Sequence, residues 1–169
     1  RAHRGRLHHP APGLAFPGAP PGLLGPAKVI FVDGTFNAGV CLSAEDSYAR
    51  LGKPGPFPRT SQPTPGEFEA VFRELGADGG SIVCTTISSD LSGTFASATQ
   101  ARAALPDLDI RVVDTRSVAV GHYAAVLEAV RVTEAGGDAD AVVAALAAVQ
   151  GPDRVLFPVD ALAFLRLAA

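Results

Sequence analysis

The sequence predicts an α/β fold: a mainly parallel sheet with helices on both faces, preceded by an irregular Pro/Gly-rich N-terminal arm. Three observations predict it. The runs Ser81–Ile87 (SIVCTTI) and Ile110–Asp114 (IRVVD) are rich in β-branched residues, as strands of a buried parallel sheet are. Segments of helical length alternate with them, which is the pattern of crossovers between parallel strands. Ser/Thr-x-x-acid start signals stand ahead of two of the helical segments.

The elements follow in order. Residues 1–26 stand apart: the segment Pro10–Gly22 is broken throughout by proline and glycine, which sustain neither a helix nor an internal strand, so they read as an irregular or disordered arm. Ala27–Asp33 reads as a strand, and Asp33-Gly34-Thr35 as a turn. Ser43 caps a helix running to about Leu51, with Asp46 in the place of the usual glutamate. The proline- and glycine-rich stretch 52–59 is a loop. Thr64-Pro65-Gly66-Glu67 is a fuller signal: cap, proline at the first helical position, and reciprocal acid. Phe68, Val71, Phe72 and Leu75 continue that helix, and Gly76 ends it. After the strand at 81–87, Ser88–Thr94 is a polar turn and a helix extends to about Leu105. After the strand at 110–114, Thr115–Gly121 is a loop, Tyr123–Ala135 a helix, and Gly136-Gly137 a break. Ala139–Val149 is the last helix, and Val155–Val159 a last short strand. The domain is expected over residues 27–169.

Composition narrows the function. The 169 residues suit one domain, and 47% are hydrophobic, many of them alanine, which predicts a closely packed core. A net charge of −3 with acids and bases interspersed argues against nucleic acid. No apolar stretch is long enough to span a membrane, and the arginine-bearing N-terminus has no apolar run of the signal-peptide kind. The two cysteines, Cys41 and Cys84, define no disulfide scaffold, so a reduced, cytoplasmic setting is expected, with Cys84 as a small core hydrophobe. The chain contains no methionine, not even at position 1.

Ligands of open α/β sheets bind beyond the carboxyl ends of the strands. Thr60–Pro65, Ser88–Thr94 and Asp114–Val118 are expected at such ends. The first two are rich in hydroxyls and lead into helix N-termini, whose free N–H groups and positive dipole end suit a small anion, a carboxylate or a phosphate. Gly93 would let the ligand approach the backbone closely. The plainer alternative is that these hydroxyls are ordinary helix caps. Other chemistries fit less well. Neither G-x-S-x-G, nor a P-loop, nor G-x-G-x-x-G occurs. His122 is the one histidine outside the arm, and no carboxylate stands out to orient it as a base. His3, His8 and His9 read as part of a solvated tail. Asp33, Asp90 and Asp114 could form an acidic metal site, but Asp90 and Asp114 read better as turn residues, so neither metal nor other cofactor is expected.

Four segments resemble a known family. Thr60-Ser61-Gln62-Pro63-Thr64-Pro65-Gly66-Glu67-Phe68 resembles the T-S-Q-P-S-P-G-E-F segment of the DegV family. Ile87-Ser88-Ser89-Asp90-Leu91-Ser92-Gly93-Thr94-Phe95 resembles its I-S-S-x-L-S-G-T-Y segment. Asp114-Thr115-Arg116-Ser117-Val118, followed by Gly121, resembles D-S-x-S-V…G. Asp33-Gly34 through Leu42-Ser43 resembles D-G…G-V-D-L-S, with Cys41 in place of the acid. Order and spacing agree across residues 29–165.

The resemblance implies a bacterial protein that binds a long-chain fatty acid and is not an enzyme. Thr60 or Ser61 and Ser92 would hydrogen-bond the carboxylate, and Gly93 and Thr94 would contribute backbone at the same helix start. It also implies a fatty acid kinase as partner, which would supply the catalytic machinery. The family's opening strand has no counterpart in residues 1–26, and Asp160–Arg166 resembles the segment leading to the second domain. The chain is therefore expected to be a first domain truncated at both ends. Apolar surface exposed by truncation would favour a homo-oligomer. The rivals are a phosphate- or nucleotide-binding α/β domain, a serine-nucleophile enzyme, and a truncated chain with no independent activity.

Overall fold

The structure is a computed structural model that describes residues 28–37 and 43–150. The arm, Cys41 and the expected strand Val155–Val159 lie outside the described residues, as does Asp160–Arg166. The elements are β1 (Lys28–Phe31), β2 (Gly34–Asn37), α1 (Ala44–Leu51), β3 (Arg59–Ser61), α2 (Pro65–Leu75), β4 (Ile82–Thr86), α3 (Thr94–Ala103), β5 (Ile110–Asp114), α4 (Val120–Glu134) and α5 (Ala139–Val149).

The β-branched runs become β4 and β5, paired in parallel with Ile82 opposite Ile110 and Thr86 opposite Asp114. Side chains alternate across a strand. Ile82, Cys84, Ile110 and Val112 therefore face one side, where they pack with Phe72 of α2, Ala98 and Ala101 of α3, and Leu105. Val83 and Val113 face the other side and pack with Ala125 of α4 and with Val142 and Leu146 of α5. Helices thus cover both faces of this pair, as the sequence predicts. Ala98 and Ala101 are fully buried, which lets α3 lie close to the sheet. Phe72, Ile110 and Leu146 are the largest fully buried side chains, each contributing about 1.5–3 kcal/mol relative to an exposed one. Burial pushes the Cys84 thiol up to about 11, in keeping with a protonated core residue.

The α/β class holds, but parallel pairing is confined to β4–β5 among the described residues. β1, β2 and β3 form a separate antiparallel sheet in the order β2-β1-β3. A two-residue connection at Val32-Asp33 joins β1 to β2, and so short a link can only return the chain antiparallel. Neither β2 nor β3 was expected from the sequence. Arg50 of α1 fastens the hairpin. Its guanidinium lies 5.3 Å from the Phe31 ring centroid and 4.7 Å from that of Phe36, and it pairs with Asp33 at 2.6 Å.

The helix starts read from the sequence are present. Ser43 Oγ accepts the Asp46 N–H at 3.0 Å. Thr64 and Glu67 form the reciprocal box, with the Glu67 carboxylate accepting the Thr64 N–H at 2.8 Å. Gly76 does end α2, but with a right-handed φ of −86°. Its glycine answers a demand for space: a Cβ there would sit 2.8 Å from Leu108 Cδ2. α4 begins at Val120, three residues before the expected start, and α5 has the expected bounds. Among the described residues no helix is long and apolar enough to cross a membrane.

Candidate functional site

The connection from β4 to α3 is organised by Ser88, which is buried. Its carbonyl accepts the N–H groups of Leu91 and Ser92, each at 3.1 Å, and its Oγ accepts the Asp90 N–H at 3.3 Å. This tight turn leaves Leu91 66% exposed and delivers Ser92 to the start of α3. Ser92 Oγ and Thr94 Oγ1 are 2.8 Å apart, and the Thr94 N–H donates to Ser92 Oγ at 3.3 Å. The N-cap of α3 is Gly93, so no side chain caps this helix. Its first-turn N–H groups lack partners within the helix and carry the positive end of the dipole. Of the two hydroxyls in contact, one spends its hydrogen on the other, which leaves one hydroxyl hydrogen beside the first-turn N–H groups to donate to a small anion.

The structure gathers some of the expected site residues and not others. Ser92, Gly93 and Thr94 are together. Thr60 and Ser61 lie within β3 rather than in a loop, opposite Val29 and Lys28. Thr60 is exposed, and the half-buried Ser61 donates its hydroxyl to the Gln62 carbonyl at 3.2 Å. Among the described residues no hydrogen bond joins Thr60 or Ser61 to Ser92 or Thr94. The link is the next residue, Gln62, whose amide lies against Gly93: a Cβ at Gly93 would stand 2.6 Å from Gln62 Nε2. The glycine thus serves a close approach of the β3–α2 connection to the α3 start, a role additional to the ligand approach expected of it.

The end of β5 completes the cluster. Asp114 Oδ1 accepts the N–H of Ser89 at 3.2 Å and of Arg116 at 2.9 Å. Thr115 is buried and gives its hydroxyl hydrogen to the Thr86 carbonyl at 2.8 Å. His122 Nδ1 is 3.1 Å from the same Thr115 oxygen and so carries the hydrogen of that bond. Burial lowers the His122 pKa. With its hydrogen committed to a backbone carbonyl, Thr115 is held in a structural bond and not set up as a nucleophile. Thr86 is 3% exposed, and its Oγ1 has no hydrogen-bond partner among the described residues. The three acids weighed as metal ligands are separately engaged: Asp33 with Arg50, Asp90 with Arg116, and Asp114 with the two N–H groups. Among the described residues no cluster of three His, Cys, Asp or Glu side chains could hold a metal ion.

The family model described as "Uncharacterised protein, DegV family" matches residues 25–168. The chain belongs to the DegV family. Protein DegV of Bacillus subtilis (strain 168) is 31% identical over 144 residues, covering 83% of this chain and 50% of that protein. Among solved structures, a DegV family protein from Thermus thermophilus described for its fatty acid binding superposes with a TM-score of 0.69 at 29% identity, covering 75% of this chain and 45% of that one. A stearic acid-binding protein from Eubacterium ventriosum superposes with a TM-score of 0.67 at 29% identity, covering 73% of this chain and 44% of that one. The chain spans about half the length of the relatives it matches.

Within this DegV chain, sequence reasoning found the hydroxyls at the α3 start. It missed Gln62 as the residue touching Gly93, the unpartnered hydroxyl of Thr86, and the clasp made by Asp114. Gln62 lay inside the quoted T-S-Q-P motif, so position alone could have pointed to it. Thr86 gave no signal, because threonine in a β-branched run reads as an ordinary strand former.

Proposed function

We propose that this DegV chain binds a long-chain fatty acid, with Ser92 and Thr94 at the α3 start receiving the carboxylate. The observation that carries the reading is the pair of touching hydroxyls on a helix start that no side chain caps. The fatty-acid-binding relatives support the acyl chain, since a hydroxyl cluster alone would serve a phosphate equally well. The exposed Leu91 and Val120, on the connection after β4 and at the start of α4, offer apolar surface beside the strand ends. Thr60 and Ser61 belong to the same proposal as the residues just ahead of Gln62, which meets the α3 start at Gly93.

On this reading the protein holds its ligand and does not transform it, and a fatty acid kinase acting in the cytoplasm phosphorylates the presented carboxylate. The same exposed apolar surface would also accept a second copy of the chain.

The test is native mass spectrometry of the purified chain, followed by lipid extraction and titration with palmitate and with inorganic phosphate. A co-purifying fatty acid, or saturable uptake of palmitate, is expected. Binding of phosphate without palmitate would replace this reading with the phosphate one. Ser92→Ala and Thr94→Ala should each weaken palmitate binding by about 1–3 kcal/mol, the cost of leaving a buried charge short of one donor. Unchanged affinity in both variants would remove the site assignment.

A further inference from the structure

The Ser92–Thr94 hydroxyls sit at the end of a connection, so their geometry depends on what fixes the turn before them. Its internal bonds, all made by Ser88, shape the turn, and bonds to the β5–α4 side tie it to the sheet. Its Ser88 N–H donates to the Ser117 carbonyl at 2.9 Å, and its Ser89 N–H donates to Asp114 Oδ1 at 3.2 Å. One anchor is the last residue of β5 and the other lies in the connection after it. The same Oδ1 accepts the Arg116 N–H at 2.9 Å. Arg116 is held at a φ of +51°, a left-handed conformation that a residue with a Cβ adopts only under constraint. Its guanidinium then reaches back to Asp90 in the first connection at 2.7 Å. The Asp114 carbonyl is itself tied to Gln150 Nε2 at 2.6 Å, just past α5. One oxygen atom therefore sits where two connections, 25 residues apart in sequence, are fastened to each other.

We infer that Asp114 is the positioning residue of the ligand loop: by holding the Ser89 and Arg116 N–H groups on a single oxygen it fixes the turn that presents Ser92, Gly93 and Thr94. The inference rests on the carboxylate-binding reading for what the loop receives, and on the structure alone for what holds the loop. Burial raises the Asp114 pKa, and the bonds from Ser89 and Arg116 outweigh it, so the group lies below its ordinary value and is ionised at neutral pH. Because both N–H groups meet the same oxygen, an asparagine carbonyl can replace it, whereas alanine cannot.

The experiment compares the full chain with Asp114→Ala and Asp114→Asn by amide hydrogen exchange and by palmitate titration. In the wild type, the Ser89 and Arg116 amides should be protected well beyond freely exposed loop amides. Asp114→Ala should speed exchange across residues 88–95 by about tenfold, with the β4 and β5 amides little changed. It should weaken palmitate binding by about tenfold, and Asp114→Asn should restore both. Freely exchanging Ser89 and Arg116 amides in the wild type would overturn the inference without any variant. So would an Asp114→Ala chain that exchanges and binds as the wild type does, or one whose whole sheet loosens equally. If the wild type takes up no palmitate but the exchange pattern appears as expected, the lipid reading falls and the positioning role of Asp114 stands.

Discussion

Thr86 is the residue where the fold leaves a polar group unanswered. It ends β4 with its hydroxyl sealed from solvent and without a partner among the described residues, while its carbonyl is taken by both the N–H and the hydroxyl of Thr115. A buried hydroxyl without a partner costs its desolvation, so exchanging it for a methyl group should help. Thr86→Val is therefore expected to raise the stability of the ligand-free chain by about 1 kcal/mol in urea unfolding. A loss of that size instead would show that the hydroxyl has a partner such as a buried water. The sequence revealed candidate site residues where their chemistry is local. Ser92, Gly93 and Thr94 stand in one short segment at a helix start, and hydroxyls there signal anion binding or capping wherever they occur. Asp114 and Thr86 draw their meaning from partners 25 and 29 residues away, so alone they read as a turn former and a strand former.

At the scale of elements, the helices were legible where a start signal lay next to an apolar period. Ser43 and Thr64 cap α1 and α2 as their sequences indicate. β4 and β5 were legible because burial on both faces selects a run dense in β-branched residues, Ile82, Val83, Thr85 and Thr86 in one and Ile110, Val112 and Val113 in the other. β2 and β3 were not, since four residues (GTFN) and three (RTS) carry no period. They exist by pairing with β1, a tertiary fact. The α2 start also matters to the site, because it ends the connection that begins at Ser61 and places Gln62 against Gly93. Thr64→Ala removes the side-chain acceptor for the Glu67 N–H and with it one arm of the box. It should lower stability by about 1 kcal/mol, read as a shift in the urea midpoint without a change in slope. An unshifted midpoint would mean that packing of Phe68 and Phe72, and not the cap, sets where α2 begins.

The whole molecule integrates these local bonds into one dependence of stability on pH. Stability rises with pH wherever the unfolded chain binds more protons than the folded one. His122 meets that condition: burial lowers its pKa from 6.5, so the unfolded chain takes up this proton first. Its place in the first turn of α4, near the positive end of the helix, opposes charge in the same sense. Stability is thus lost as pH falls from about 6.5 toward the lowered folded value. The carboxylates act in a lower window. Glu67 is brought down to about 2, first by its bond with Lys28 and then by those from Thr64, and Arg50 lowers Asp33. Contributions of depressed carboxylates are complete above their unfolded values, near 4.5 for Glu67 and 3.8 for Asp33, and vanish as pH falls through the folded ones. Melting temperature should therefore descend in two stages below neutrality. His122→Asn keeps an amide to donate to Thr115 without a group that titrates, and should flatten the upper stage alone. Lys28→Gln removes the leading cause of the Glu67 shift and should shrink the lower stage alone. Persistence of the upper stage in His122→Asn would place its origin elsewhere and would release Thr115 and the β5–α4 connection from any part in the acid response.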